Sequence, residues 1–423
     1  MVLMLPIATD NGARLAAILP TGLAAVARGL GADPVELLAR ACGLAPTAIG
    51  NSLVFDDGSL PPLRSFVMVV VDGLGHANLQ ARAAHARSIS RLPTRRIETV
   101  IPSTTGAALT TLTTGRLPGE HGLIGYRIRH PKQGLLSTLK DWRDIPDRRA
   151  WQRSTPLFEF AAAMGARPVA IGRPAHATGG LTEAILSGAE YHGAVTIADR
   201  CAIASRLLRA GEPIVAYLYI DELDKAAHAD GWQSDLWLKR LEQLDAALED
   251  LLRTLPGDVG VVVTADHGMI DVPEHRRLEL GVDSEAFSGV SEVGGEPRMR
   301  SLYLHEGTDP ASVAERVGAA LGKLAWVGTR SEAIAANWFG PMAPGVAERL
   351  GEVIVTARGQ LCFTLPGDSP DARSMVGQHG GLSSEERGVP LALGGVLDGS
   401  GFAATLGRIA AMTAATDLTP PAD

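Results

Sequence analysis

The 423-residue sequence predicts an α/β fold in which helices flank a mostly parallel central sheet, with a smaller α+β insertion late in the chain. Two observations carry this prediction. Continuous apolar runs alternate with stretches of helical periodicity, as expected when parallel strands are buried on both faces and joined by crossover helices. After residue 271 this alternation gives way to short strands mixed with a helical stretch.

The apolar runs and the stretches between them define the elements of the predicted sheet. Strands are predicted at Phe66–Val71, Arg167–Ile171, Ile214–Ile220 and Val259–Val263. Helices are predicted at Thr105–Thr114, Thr155–Met164, Ile197–Arg209 and Leu236–Thr254. Within the insertion, the sequence predicts strands at Ser301–Leu304 and Glu352–Thr356 and a helix near Ala311–Leu321.

The length exceeds one average domain and is short for three. We expect an N-terminal helical and extended segment over residues 1–64, with helices around Leu15–Leu30 and Pro34–Cys42 and a turn-rich stretch at Asp56–Pro62. Residues 65–272 and 371–423 are expected to form the core, and residues 273–370 the α+β insertion subdomain.

Composition excludes several classes of protein. A hydrophobic content of 46% with 20% charged residues is typical of a folded globular chain. The formal charge of −8 argues against a nucleic-acid-binding surface. It does not exclude a small anionic substrate, because bound divalent cations can invert the local sign of the charge.

The sequence gives little indication of a targeting signal or of a membrane-spanning helix. The N-terminus lacks a basic segment, and no apolar run approaches the roughly 18–20 residues of a membrane-spanning helix. The three cysteines are far apart and suggest no disulfide framework, which fits a reducing compartment. We therefore expect a cytoplasmic protein without a membrane partner, and the sequence leaves the oligomeric state open.

Carboxylates follow three of the predicted strands. Asp72 follows the first strand, Asp221 and Asp224 follow the third, and Asp266 follows the fourth. Any one of them is equally well explained as a helix cap or turn residue. Open α/β sheets bind ligands outside the carboxyl ends of their strands, so three strands ending alike predict that these side chains share one crevice.

Histidines accompany these carboxylates. Asp224 and His228 have the i, i+4 spacing that places two metal ligands on one helix face, although a chance surface pair has the same spacing. His267 directly follows Asp266, and Gly268 would allow a sharp exit of the chain from the sheet. His379 lies between glycines in a Gly-Gln-His-Gly-Gly segment, where no apolar core surrounds it.

A threonine-rich helix start supplies a candidate nucleophile. Pro102 and Ser103 lead into the predicted helix, and Thr105 falls in its first turn. Free backbone N–H groups and the positive end of the helix dipole there would stabilise an alkoxide or a phosphoryl oxygen. Taken alone, either Thr104 or Thr105 is explained as a helix N-cap.

In this order, the motifs resemble those of the alkaline phosphatase superfamily. Within it, the chain is most similar to the nucleotide pyrophosphatase/phosphodiesterase branch and its relative phosphonoacetate hydrolase, from about Phe66 to Leu391. In that pattern the nucleophile lies nine residues before a Thr-Gly pair and sixteen before a His-Gly pair. Counting back from Thr114-Gly115 and His121-Gly122 selects Thr105.

The resemblance implies an alkaline phosphatase-like fold and two divalent metal ions. One ion would be held by Asp224, His228 and His379, and the other by Asp72, Asp266, His267 and the oxygen of Thr105. Three carboxylates and one alkoxide carry a charge of about −4, which balances two divalent cations. Carboxylates mixed with imidazoles suit zinc, with manganese or iron as alternatives.

The implied activity is hydrolysis of phosphodiesters or nucleotide pyrophosphate bonds through a covalent phospho-threonine intermediate. Two departures bear on the substrate. Gly106 stands where nucleotide pyrophosphatases usually carry a base-stacking aromatic, and Tyr126 stands where they carry an asparagine that contacts a phosphoryl oxygen. Tyr126 and Gly106 are therefore the candidate substrate contacts. The threonine nucleophile does not fit the Cys/Ser-x-Pro-x-Arg motif of sulfatases.

Two alternatives remain open. The first is a phosphonate or phosphomonoester hydrolase that uses the same metals. For such an enzyme, basic residues could hold an additional substrate anion, or they could form a solvated loop: Arg127, Arg129, Lys132 and Lys140. The second is a catalytically inactive, metal-stabilised binding protein, which a missing ligand would favour.

Overall fold

The computed structural model describes residues 5–44, 46–47, 49 and 60–414. The predicted N-terminal helices are confirmed as Ala13–Ala16, Ile18–Gly29 and Pro34–Cys42. Asp33 caps the last of these by accepting a hydrogen bond from the Val35 N–H. Most of the turn-rich stretch predicted at Asp56–Pro62 lies outside the described residues.

The strands in the described residues are numbered in chain order. They are β1 Ser65–Val71, β2 Thr94–Glu98, β3 Arg127–His130, β4 Gly134–Ser137, β5 Arg167–Gly172, β6 Glu190–Gly193, β7 Ile214–Ile220, β8 Val259–Thr264, β9 Ile270–Asp271, β10 Arg277–Glu279, β11 Val290–Glu296, β12 Met299–Leu304, β13 Ala325–Thr329, β14 Val353–Ala357, β15 Cys362–Thr364, β16 Gly377–Gln378 and β17 Gly388–Gly395.

A seven-stranded sheet with the order β2-β17-β8-β1-β7-β5-β6 forms the centre of the fold. β1 pairs in parallel with β7 and β8, and β5 pairs in parallel with β7 and β6. β17 runs antiparallel to both β8 and β2. All four predicted strands belong to this sheet, which confirms the mostly parallel α/β architecture.

Helices cover the sheet and the insertion. The remaining α-helices with bounds in the described residues are His76–Ala81, Arg87–Ser90, Thr105–Thr114, Pro118–His121, Arg148–Trp151, Leu157–Ala163, Gly180–Ile185, Ile197–Arg209, Glu222–Asp230, Asp235–Arg253, Pro310–Leu321, Arg330–Ala335, Pro370–Ser374, Ser384–Arg387 and Phe402–Ala414. The predicted helices are confirmed to within two residues at each end. None of the helices in the described part of the chain is long and apolar enough to cross a lipid bilayer.

The helix Thr105–Thr114 depends on tertiary packing. Its sequence is rich in threonine, which is a weak helix former, yet all ten of its residues are buried. The hydroxyls of Thr110, Thr113 and Thr114 donate to backbone carbonyls within the helix, so these buried polar groups are satisfied. The helix ends at Gly115, whose φ of 68° lies in the left-handed region.

The sequence did not reveal three strands of the central sheet, β2, β6 and β17. β17 is the most consequential, because it places the segment after Gly381 inside the central sheet. It contains Pro390 and two closing glycines, which weaken a strand signal. β17 forms because it lies between β8 and β2, strands that are distant in sequence and supply the backbone partners.

The insertion contains a four-stranded antiparallel sheet with the order β11-β12-β14-β13. The predicted strands fall in β12 and β14, and the predicted helix is Pro310–Leu321. Some buried apolar residues of the insertion, including Leu302, Val313 and Val355, form a cluster of their own. Others, including Met299 and Trp338, belong to the main core. The exact division of the chain into three parts stays a prediction.

The register of the central sheet brings together the chain segments that follow β1, β7 and β8. Val71 of β1 pairs with Ile220 of β7, and Val70 pairs with Thr264 of β8, so the carboxyl ends of these strands are level. The residues that follow them therefore meet at one edge of the sheet. This alignment positions the candidate site.

Candidate active site

Three ligand-type side chains and the candidate nucleophile meet at the carboxyl ends of β1 and β8. We call Asp72, Asp266 and His267 the inner group, because all three are buried. The Nε2 atom of His267 lies 3.1 Å from Thr105 Oγ1. The same nitrogen lies 3.2 Å from Asp72 Oδ1 and 3.4 Å from Asp266 Oδ2. The structure thus brings together the four residues assigned from the sequence to one ion.

A second set, which we call the outer group, consists of Asp224, His228 and His379. His228 Nε2 lies 3.3 Å and His379 Nε2 lies 4.0 Å from Asp224 Oδ1. The helix Glu222–Asp230 carries the first two residues, whereas His379 follows β16. The rings of His379 and His267 stack with centroids 3.5 Å apart, so the two groups adjoin.

The histidine rings share one orientation. The Nδ1 atoms of His228, His267 and His379 face the backbone oxygens of Gly377, Gly268 and Ser103, at 2.8, 3.2 and 2.9 Å respectively. A carbonyl oxygen only accepts, so each Nδ1 carries the donating proton. Each Nε2 is thereby directed at the carboxylates, which is the arrangement of metal-ligating histidines.

The carboxylates are arranged in the same way. In Asp266, Oδ1 accepts hydrogen bonds from the backbone N–H groups of Gly73 and His267, and in Asp72, Oδ2 accepts one from the Tyr219 hydroxyl. The opposite oxygens, Asp72 Oδ1 and Asp266 Oδ2, are buried without a hydrogen-bond partner, as is Asp224 Oδ1. Buried polar atoms are rarely left unpartnered, so these three oxygens fit cation ligands.

The electrostatics of the carboxylates in both groups favour bound positive charge. Burial raises the pKa of the Asp224 carboxyl to about 6, reinforced by Asp72. Burial and Asp72 likewise raise the pKa of Asp266 well above its usual value. Burial opposes the charge of the His267 imidazolium, but Asp266, Asp72 and Asp224 outweigh it and raise that pKa to about 10. Clustered carboxylates of this kind are stabilised by bound cations.

The two neighbouring threonines differ in position. Thr104 occupies the N-cap of the helix Thr105–Thr114, but its side chain makes no capping hydrogen bond. Thr105 is the first helical residue, contacts His267, and lines a cavity together with Asp72. The structure therefore brings Thr105 to the inner group.

Asp221 has a different environment from the other strand-end carboxylates. It accepts hydrogen bonds from Arg173 Nε at 2.6 Å and from the Lys225 ammonium, and it lies 3.1 Å from His176 Nε2. Burial opposes its charge, but His176, Lys225 and Arg173 outweigh burial and lower its pKa. Asp221 is thus neutralised by Lys225, which lies four residues further along the chain, and by Arg173 and His176, which follow β5. The sequence did not identify these partners.

A cavity of about 450 Å³ opens beside Thr105, Asp72 and Asp224. Its walls are largely apolar and aromatic, formed by side chains that include Leu109, Ile171, Leu181, Ile185, Tyr191, Tyr217 and Tyr219. Lys140, Lys225 and His176 also line it. Such a cavity suits an organic group attached to an anion.

Only one of the four basic residues singled out from the sequence lines this cavity, namely Lys140. Arg129 instead pairs with Glu292 at 2.8 Å and lies over the ring of Tyr303. Lys132 is exposed in the turn between β3 and β4. Arg127 lines a different, much smaller pocket.

Gly106 and Tyr126 lie outside the walls of the large cavity. Gly106 packs against Thr138, and a Cβ atom placed on it would lie 2.6 Å from the Thr138 hydroxyl oxygen. There is therefore no room for the aromatic that related enzymes carry at this position. A contact of either residue with substrate stays a prediction.

Comparison with known proteins identifies the family of this chain. The type I phosphodiesterase/nucleotide pyrophosphatase family matches residues 66–382. The mouse ectonucleotide pyrophosphatase/phosphodiesterase family member 3 is 27% identical over 264 residues, covering 58% of this chain and 29% of the relative. The human family member 5 is 25% identical over 189 residues, covering 40% of this chain and 37% of the relative. The chain thus spans about a third of the length of these curated relatives.

Solved structures share the fold. Murine ectonucleotide pyrophosphatase/phosphodiesterase 5 superimposes with a TM-score of 0.62 at 20% identity, covering 77% of this chain and 87% of the other. Phosphonoacetate hydrolase from Sinorhizobium meliloti 1021 superimposes with a TM-score of 0.63 at 20% identity, covering 83% and 97%. The family match covers most of the chain. The chain belongs to the type I phosphodiesterase/nucleotide pyrophosphatase family, within the alkaline phosphatase superfamily.

Proposed function

We propose that this protein is a two-metal hydrolase of phosphodiesters or nucleotide pyrophosphate bonds that acts on a small phosphorylated substrate through a phospho-threonine intermediate. One observation carries the proposal. The Thr105 hydroxyl lies 3.1 Å from His267 Nε2, beside the buried, unpartnered carboxylate oxygens of Asp72 and Asp266. A nucleophile next to a preformed cation site is the arrangement that such chemistry requires.

The geometry supports two ligand sets. The inner group with Thr105 would hold one divalent ion, and the outer group of Asp224, His228 and His379 would hold the other. Mixed carboxylate and imidazole donors suit zinc, with manganese or iron as alternatives. Bound ions would lower the pKa of the Thr105 hydroxyl and offset negative charge on the phosphoryl oxygens.

The protein's own groups then account for the two chemical steps. The Thr105 hydroxyl gives its proton to solvent, and Oγ1 forms a bond to phosphorus while the bond to the leaving oxygen breaks and that oxygen takes a proton from solvent. Water subsequently attacks phosphorus and gives up a proton, the bond between phosphorus and Oγ1 breaks, and Oγ1 is protonated again to restore the threonine. Thr105 is the first residue of the helix Thr105–Thr114, whose N-cap side chain makes no capping hydrogen bond, and backbone N–H groups at a helix start favour an anion there.

A solved structure of murine ectonucleotide pyrophosphatase/phosphodiesterase 5 supports the choice of nucleophile and of substrate class. An inactive variant of the murine protein, in which a threonine is replaced by alanine, was solved in complex with AMP. In our proposal the large cavity beside Thr105 would hold the organic group of a comparable ester. A cytoplasmic location, and the absence of nucleic-acid and membrane partners, stay predictions.

A phosphonate or phosphomonoester hydrolase is the second candidate. Two observations favour it: the fold is equally similar to phosphonoacetate hydrolase, and Lys140, whose charge suits an additional substrate anion, lines the cavity. An inactive binding protein is disfavoured, because every proposed ligand is present and the ligands converge.

The test is hydrolysis by the purified protein loaded with zinc, with an aryl phosphodiester, an aryl phosphomonoester, a dinucleoside polyphosphate and phosphonoacetate as substrates. We expect the highest kcat/KM with the diester or the polyphosphate. We also expect activity to be lost on chelation and recovered when zinc is added back. Preference for phosphonoacetate or the monoester would replace the first candidate by the second. Inactivity towards all four by a protein with two bound ions would contradict both.

A further inference from the structure

Ser103 is connected to three consecutive residues of the loop that carries His379. Its backbone oxygen accepts from His379 Nδ1 at 2.9 Å. Its hydroxyl accepts from the Gly380 N–H at 3.1 Å and donates to the Gly381 oxygen at 2.9 Å. Ser103 is fully buried and lies two residues before Thr105. Through its backbone oxygen and its hydroxyl, Ser103 thus ties the candidate nucleophile segment to the loop that carries the candidate ligand His379.

Glu386 holds the same loop from the other side. Its Oε1 accepts from the Gly381 N–H at 2.8 Å. Its backbone oxygen accepts from the Gly268 N–H, also at 2.8 Å, next to His267. Glu386 is fully buried. It therefore connects the loops that carry one imidazole of the inner group and one of the outer group.

The charge of Glu386 is balanced from the insertion. Arg298, in the turn between β11 and β12, donates through Nε at 2.9 Å and Nη2 at 2.7 Å to the two carboxylate oxygens. Both side chains are fully buried. Burial opposes the charge of Glu386, but Arg298 outweighs it and lowers the pKa of that carboxyl. The carboxylate therefore accepts from Gly381 as an anion, which strengthens the hydrogen bond.

The loop needs such support. His379 is followed by two glycines, and Gly380 adopts a φ of 110° that other residues rarely reach. Glycine backbones lose more conformational freedom on ordering than any other residue. Without tethers, ordering the His379 imidazole for a cation would cost free energy at the moment of binding.

We propose that Ser103, Glu386 and Arg298 form a buried clamp that positions His379 for cation binding, and that the insertion takes part in the metal centre through this clamp. This inference rests on the proposed function for the identity of the outer group as a metal site. The three are positioning residues, since they act through His379. In metal sites, loss of such supporting hydrogen bonds typically costs about 10–100-fold in affinity.

The test compares the Ser103→Ala and Thr113→Ala variants of the full chain. Thr113 is a matched control, because its hydroxyl is also fully buried and bonds to backbone oxygens of Leu109 and Thr110, but it is not part of either ligand group. Equilibrium dialysis against zinc would measure both binding constants. We expect Ser103→Ala to weaken zinc binding at one site by about 10–100-fold and to change the affinity of the other site by less than about threefold. Thr113→Ala should change the zinc affinity of neither site.

Amide hydrogen exchange of the metal-free proteins gives a readout that needs neither metal nor activity. The amides of Gly380 and Gly381 should exchange at least about tenfold faster in Ser103→Ala than in the wild type, at equal melting temperature. Glu386→Gln should have the same effect on Gly381. A glutamine amide has one oxygen and one NH₂ group, so an NH₂ group would replace one of the two oxygens that accept from Arg298 and Gly381 and would face their donors.

Failure of the clamp and failure of the proposed function give different results. A wild-type protein that binds no zinc contradicts the two-metal function, while the exchange rates still report on the clamp. Unchanged exchange at Gly380 and Gly381 in Ser103→Ala would overturn the clamp. The clamp would also be overturned if the wild type bound two ions and Ser103→Ala bound both with unchanged affinity. The same conclusion would follow if Thr113→Ala lost as much zinc affinity as Ser103→Ala.

Discussion

Thr105 Oγ1 and His267 Nε2 lie 3.1 Å apart although 162 residues separate them in the chain. The contact joins the first turn of one helix to the exit of β8. It places a hydroxyl at the edge of a cluster of buried carboxylates, in which Asp72 Oδ1 and Asp266 Oδ2 have no hydrogen-bond partner. This relationship separates Thr105 from its neighbour Thr104 and motivates the first prediction.

Thr105→Ala should preserve the fold and most of the metal affinity, because the six other proposed ligands remain. Its turnover should fall by several orders of magnitude, since an unpositioned water must replace a nucleophile that is held in place. Steady-state kinetics on the substrate preferred by the wild type would measure the loss. A Thr105→Ala enzyme with full activity would exclude a covalent intermediate at this position.

Thr104→Ala is the matched variant. Thr104 makes no side-chain capping bond, so we expect a loss of about 1 kcal/mol in the free energy of unfolding and a minor loss of turnover. Acid quenching during turnover, followed by mass spectrometry of the peptides, would locate a phosphoryl group directly. Phosphate on Thr104 would show that the nucleophile had been assigned one residue too late.

Metal content should respond to single ligands. The wild type should bind two divalent ions per chain, and His379→Ala should weaken the outer site while the inner site retains its ion. The reason is that no inner ligand is changed and the His267 side chain keeps its contacts with Asp72 and Asp266. Elemental analysis after gel filtration at limiting zinc would count the ions. Equal loss of both ions would show that the two sites do not fill independently.

Lys140 should favour substrates that carry a second anionic group. It lines the cavity beside Thr105 and is exposed, so its charge is available to a ligand. The test compares two diester substrates, the carboxyphenyl and the phenyl ester of p-nitrophenyl phosphate. We expect Lys140→Met to lower the ratio of kcat/KM for the carboxyphenyl ester to kcat/KM for the phenyl ester by about tenfold, or 1.4 kcal/mol. The ratio in the wild type should fall with added salt. Lys132→Met, at an exposed turn outside the cavity, should leave the ratio unchanged.

Glu296 should make stability depend on pH. Its carboxyl is buried at the end of β11, and neither of its oxygens has a hydrogen-bond partner among the described residues. Burial raises its pKa from 4.5 to about 8, against a smaller lowering by Thr104 and Arg300. Because this pKa is raised in the folded state, the contribution of Glu296 to the free energy of unfolding is complete below pH 4.5 and is lost as the pH rises towards 8.

Glu296→Gln removes this titration while keeping the shape of the side chain. Between pH 4.5 and 8 the free energy of unfolding of the wild type should therefore fall relative to the variant, by at most about 1.4 kcal/mol per pH unit. Urea titrations of both proteins at several pH values would measure the difference. A constant difference across this range would mean that Glu296 is ionised throughout or that its pKa is unshifted.

Sequence periodicity was sufficient where an element is encoded locally. β1 and β7 are continuous apolar runs, and helices such as Ile197–Arg209 have a strong helical period, so both were predicted to within a residue or two. β17 was missed because its proline and glycines carry little strand preference. Its conformation is decided by the backbone partners on either side, which local sequence does not contain.

The sequence by itself determined which ligand-type residues are present, because carboxylates at strand ends, closely spaced histidines and a threonine-rich helix start are local patterns. It also supported the fold class. Only the tertiary structure decided which of these residues meet. It separated Asp221, neutralised by Arg173 and Lys225, from Asp224, whose Oδ1 has no hydrogen-bond partner. It also revealed that Arg298 of the insertion pairs with Glu386 behind the site. The physical reason is that hydrogen bonds and charge balance in a buried site depend on distances between side chains remote in sequence, and the register of the sheet and the packing of the insertion set those distances.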